Sequence, residues 1–190
     1  MIAVSEEVRR CAQEKRRLND LGNGYTLIDE DRRAIVKALV SRGIAEEDMT
    51  IQPASTLTQY GNDGQPTGYE LQQGMYVVSR DISKIEDLTL NPGAFFERGL
   101  AVQFSLEYYL ANLSDTKRTL LAEATRDARR RAAEIAENSG AEIGEIASAR
   151  SGVFQITEPY STEVSDYGIY STATRLKDIT VTVHVSFTLK

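Results

Sequence analysis

His184 is the only histidine of the chain and Cys11 its only cysteine. Nucleophilic catalysis of the Ser-His-Asp or Cys-His kind would have to use one of them. His184 lies among Thr182, Ser186 and Thr188. A hydrolytic reading joins it to Ser186 and nearby carboxylates, with the imidazole as base; the competing reading is a solvated histidine on the polar face of a strand. Cys11 follows Arg9 and Arg10, cations that would lower a thiol pKa. As a single cysteine it forms no intrachain disulfide, and one Cys with one His cannot complete a structural zinc site. Ser114-Asp115-Thr116-Lys117 has the S-x-x-K spacing of penicillin-recognising enzymes but lacks their Ser-Asp-Asn and Lys-Thr-Gly partners. Ser114 reads better as a helix N-cap. The triplet Asp29-Glu30-Asp31 reads as cap chemistry, and Asn62-Asp63-Gly64 reads as a turn without EF-hand spacing. Arg129-Arg130-Arg131 could grip an anionic polymer, but acids at helical spacing make it a solvated face. No catalytic, cofactor or metal constellation emerges. The segment with most contact chemistry holds Tyr160, Tyr167 and Tyr170, rigid amphipathic side chains near Pro159 and Gly168. These three form the candidate interaction surface.

The elements that would carry these residues follow from periodicity. Asp178 to Leu189 alternates strictly: Ile179, Val181, Val183, Val185, Phe187 and Leu189 share one face, with His184 on the other. Ala141 to Ile156 reads as a strand and Thr157 to Thr174 as the tyrosine loop. Ser114 to Ser139 reads as a long helix with Leu121, Ala124, Ala128, Ala132, Ile135 and Ala136 on its buried stripe, stopped by Gly140. Upstream, Leu100 to Leu110 predicts a strand, Asp81 caps a helix over Ile82 to Leu88 with Ile82, Ile85 and Leu88 buried, and Thr50 to Tyr60 with Tyr69 to Ser79 predicts a hairpin whose returning strand puts Tyr69, Leu71, Gln73, Met75 and Val77 on one face. A helix is predicted over Asp29 to Arg42 with Asp29 as its cap. Gly22-Asn23-Gly24 reads as a break, and Ser5 to Leu21 as a thinly striped helix. The order predicts an α+β fold, antiparallel sheets with helices packed on one face.

The formal net charge of −6 argues against nucleic-acid binding, which needs a basic face. No apolar run approaches the ~20 residues of a membrane span. Ser5 to Arg17 is dominated by charge and does not read as a signal peptide.

Several stretches together resemble the SIMPL family (DUF541). They are Ala122 to Ala132 with Ile135-Ala136 and Ser139-Gly140, Gly152 to Thr157, Val164 to Gly168, Lys177 to Ile179, and the Val183-His184-Val185-Ser186-Phe187 ending. The resemblance spans about Thr26 to Leu189, as one domain over 26–190 or two sub-units near 26–92 and 93–190. Residues 1–25 depart from the family pattern and are expected to be an altered or truncated start. The resemblance implies a non-catalytic bacterial envelope protein, periplasmic or membrane-anchored, stress-related, acting as a homo-oligomer or on an envelope partner. It implies no cofactor and no catalytic residue. The alternative expectations are a small-ligand or lipid-binding module and the hydrolase built on His184.

Overall fold

Alternation along the last strand builds the first of two sheets. The computed structural model describes residues 2–4, 7–18, 21–97, 99–100 and 102–190, with the side chains of residues 1–20 and of Ala94 outside that description. Two compact units divide the chain, Met1–Ser5 with Leu110–Lys190 and, separately, Glu6–Tyr109. The boundary between sub-units thus falls at Tyr109/Leu110, not near 92/93.

In the first unit, strand β9 (Leu176–Leu189) pairs antiparallel with β7 (Ile143–Thr157) and with β1 (Ile2–Val4). Strand β8 (Ile169–Tyr170) joins β7 in parallel, giving the order β1-β9-β7-β8. Helix α4 (Leu113–Asn138) covers one face. Leu120, Ile156 and Ile179 are buried between helix and sheet, with Leu113, Phe154 and Val181 packed around them. Residues 181 to 187 of β9 alternate half-buried and exposed, with the predicted phase. The helix stripe differs from expectation. Leu120 is buried rather than Leu121, and Ile135 is 71% exposed. The more buried positions step by four along 120, 124, 128, 132 and 136. Four residues advance about 400°, so the stripe drifts by about 40° per step and leaves Ile135 aside. Asn112, not Ser114, occupies the cap position, with Asp115 in the first turn.

In the second unit β3 (Met49–Ile51), β5 (Pro66–Ser79), β2 (Glu7–Leu18) and β6 (Val102–Tyr109) follow one another across the sheet, with β4 (Ser55–Tyr60) also on β5. Strands β3 (Met49–Ile51) and β4 (Ser55–Tyr60) replace the single strand expected over Thr50 to Tyr60. Pro53, which cannot donate to a ladder, lies between them. Strand β5 (Pro66–Ser79) supplies buried Leu71, Met75 and Val77, on the predicted face. Strand β6 (Val102–Tyr109) buries Val102 and Tyr108. Helix α2 (Ile82–Leu90) is capped by the Asp81 carboxylate, which accepts from the Lys84 amide at 3.1 Å. It buries Ile82, Ile85 and Leu88, as expected. The one-turn helix α3 (Gly93–Phe96) adds Phe95 to this core.

Three expectations are overturned here: the N-terminal helix, the glycine break and the Asp29 cap. Residues Glu7–Leu18 form β2, a strand between β5 and β6, not a helix. Of residues 1–25, Ile2–Val4 form β1, Glu7–Leu18 form β2, and Leu21 begins α1. Helix α1 (Leu21–Ser41) begins before Asp29 and runs through Gly22-Asn23-Gly24. Gly24 is buried, and the Tyr25 hydroxyl meets Thr56 Oγ1 on β4 at 2.9 Å. Two helical glycines cost about 1 kcal/mol each against alanine, a cost that this packing offsets. Asp29 is a mid-helix residue paired with Arg32 and Arg33 rather than a cap.

Candidate functional site

The segment from Glu158 to Arg175 connects β7 to β9 and holds all three candidate tyrosines. It is tied down along its length. Tyr160, at φ 64, donates its amide to Asp178 Oδ2 at 3.0 Å. Gln155 Nε2 donates to the Ser165 carbonyl at 2.7 Å, and the Gly168 amide donates to the same carbonyl at 3.1 Å. Gly168 has φ +85, and a Cβ there would come within 2.9 Å of the Phe154 carbonyl oxygen. Only glycine fits this turn. Ile169 and Tyr170 then pair with β7, and the Ser171 amide donates to the Ile156 carbonyl at 2.8 Å.

The structure separates the tyrosines. Tyr160 is 92% exposed and Tyr167 98%, so both rings stand in solvent. Tyr170 is 38% exposed, and its hydroxyl accepts from the Leu110 amide at 3.1 Å. It braces the loop, whereas Tyr160 and Tyr167 present surface. Tyr167 and Tyr170 also line a groove of about 390 Å³ with Lys117, Phe154 and Ile169. The Lys117 ammonium lies 5.1 Å from the Phe154 ring centre, a cation–π contact. Lys117 of the S-x-x-K stretch is thereby placed against an aromatic ring.

Beside the loop, β7 offers an edge. Strand β8 covers it only at Gln155 and Ile156, so among the described residues no strand covers that side of Ile143 to Phe154. Ile146 and Val153 are exposed there. The ladder to β9 slips between Ile143 and Ile146, Ile146 and Ser148, and Ser151 and Phe154. Such bulges bend a strand and discourage flat edge-to-edge pairing.

Lys177, which the sequence analysis did not single out, is fully buried at the start of β9. Its Nζ donates to the Ser171 carbonyl at 2.6 Å. The signal was available: Lys177 shares the parity of Ile179 and Val181, so the alternation carried back two residues turns it inward. Burial holds its pKa below the ordinary 10.5, with the Glu158 charge acting in the opposite direction. Between that lowered value and 10.5 the unfolded chain binds a proton that the folded chain lacks, so stability rises with pH across this window. In urea unfolding at increasing pH, the unaltered protein is expected to gain stability relative to Lys177→Met. A constant difference through the window would show that burial does not perturb the amine.

The other candidates stay apart. His184 is exposed and opposite Arg150 in the ladder. Arg130 and Arg131 both pair with Asp127, Arg131 Nε at 2.7 Å, and these bonds hold the Asp127 carboxyl below its ordinary pKa. Arg129 lies 5.9 Å from the Phe187 ring centre. The arginine run thus serves its own helix and sheet. Among the described residues no group of three or more His, Cys, Asp or Glu gathers as a metal site, and no helix is long and apolar enough to cross a membrane. The Cys11 side chain lies outside the described set.

A family model described as SIMPL, a protein of unknown function (DUF541), matches residues 14–188, nearly the whole chain. No curated protein matches it.

Proposed function

The chain belongs to the SIMPL family (DUF541), and from that premise we propose a non-catalytic protein of the bacterial envelope that acts through self-association or partner binding. The observation that carries the reading is the pair Tyr160 and Tyr167. Two almost fully exposed aromatic rings sit on a loop whose backbone is fixed by hydrogen bonds at both ends. Exposed aromatic surface is what interfaces use as anchors. A loop already ordered before contact loses little further conformational entropy on binding. The bulged edge of β7 supplies a second, weaker contact surface beside it. Localisation in the periplasm or at the membrane, and a role in stress, rest on the family resemblance.

The test is a double variant, Tyr160→Ser with Tyr167→Ser. Neither ring contributes to the buried core, so the fold should be retained. Removing two interface aromatics of ~1–2 kcal/mol or more each should weaken association at least tenfold. Sedimentation velocity over a dilution series reads this directly. Unchanged association in the folded double variant would remove the loop from the contact surface.

A further inference from the structure

A second concave surface belongs to the Glu6–Tyr109 unit, and no described tyrosine lines it. It is a groove of about 440 Å³ between α1, the turn after it and β3. That volume is within the range of small-ligand sites, roughly 300–1,000 Å³. Val36 and Val40, one helical turn apart, meet Ile51 at the end of β3 to form an aliphatic floor. Val36 packs against the main core, which fixes the floor in place. Val40 and Ile51 remain 42% and 40% exposed, apolar surface that a ligand could take out of water.

The rim carries charge of the sign opposite to the whole protein. Arg32, Arg33 and Lys37 line the groove against one acid, Glu46. Arg32 and Arg33 share the single carboxylate of Asp29, so two guanidinium charges face one neutralising group. Lys37 is exposed and has no hydrogen-bond or ion-pair partner among the described residues. In a chain of net charge −6, this is a local cationic rim around an alkyl-lined floor. Among the described residues no aromatic side chain lines the groove, so they offer no stacking surface for a base or a sugar ring.

We infer that the α1–β3 groove binds an alkyl chain that carries an anionic head group, of which a fatty-acid carboxylate is the simplest member. The alkyl chain lies on Val36, Val40 and Ile51, and the head group meets Lys37 and the arginine pair. The charge and the floor act together: an alcohol of the same chain length lacks the head-group attraction, and a cationic amphiphile is repelled.

The test titrates the full chain with decanoate, decanol and decyltrimethylammonium, each below its micelle concentration, by calorimetry and by amide chemical-shift changes. Decanoate is expected to bind more tightly than the other two. Lys37→Glu reverses a charge at an exposed position and is expected to weaken decanoate binding about tenfold. Val40→Asp, also exposed, should remove it. Flotation with phosphatidylglycerol and phosphatidylcholine vesicles separates the sources of the head group. Capture by the anionic vesicles alone assigns a bilayer lipid, and decanoate binding without capture assigns a free amphiphile. The inference is overturned if decanoate and decyltrimethylammonium bind alike, if Lys37→Glu leaves binding unchanged, or if neither decanoate nor anionic vesicles bind.

Discussion

Phe95→Ala is expected to destabilise the 6–109 unit by about 3–5 kcal/mol, the range for truncating a buried aromatic. The ring is fully buried among Leu39, Ile85, Leu88 and Leu100. It meets Phe104 edge-on, with centroids 5.3 Å apart, and the Arg42 guanidinium lies 5.7 Å from its centre. One Arg42 nitrogen is buried without a hydrogen-bond partner among the described residues, so the ring is part of what accommodates that cation. Alanine would open a cavity and leave the guanidinium against it. Urea unfolding gives the magnitude, and peptide-resolved hydrogen exchange should localise the loss to α2, β5 and β6. A loss under about 1 kcal/mol would mean that the site collapses around the smaller side chain.

Ile179→Ala is the corresponding change in the other unit, with an expected loss of about 2–5 kcal/mol. Among the described residues, Leu120, Ile156 and Ile179 form the buried cluster there, so one truncation removes a large share of it. Ile179 faces Ile156 in the ladder, and the Ile156 carbonyl receives the Ser171 amide that closes the tyrosine loop. The same substitution should therefore loosen residues 158–175 and weaken association, although it touches neither exposed tyrosine. Faster hydrogen exchange across that loop, together with the lower urea midpoint, is the expected signature. An equal loss of stability with loop protection unchanged would separate the core from the contact surface.

Much of the architecture was legible because local pattern and tertiary environment agree. β9 sits with one face on a helix and the other in solvent, which is the condition that produces strict alternation. The α2 cap at Asp81 and its Ile82, Ile85 and Leu88 stripe were legible for the same reason. Elsewhere the environment overrode the local signal. Glu7–Leu18 carries charges along most of its length, yet it is paired on both sides as a strand. Strand propensity depends on neighbours, and these neighbours are β5 and β6, far along the chain. Gly22 and Gly24 announce a break by propensity, but the burial of Gly24 and Ile28 continues α1 through them. Phe95 sits in a single turn, too short to show any period.

The candidate surface was legible in composition and not in geometry. Three tyrosines near a glycine mark this loop as the candidate surface, but their spacing could not separate Tyr170, which binds the Leu110 amide, from Tyr160 and Tyr167 in solvent. That division depends on the β7–β8 pairing, a two-residue contact with no sequence signature of its own.

The proposed mode of action is association through a preformed surface. Light scattering of the purified chain on a sizing column, across a range of concentrations, tests it most directly. The expected result is a discrete species heavier than 21.1 kDa, or a monomer that is captured by a component of the envelope. A monomer of 21.1 kDa at every concentration, with no envelope component retained, would contradict it.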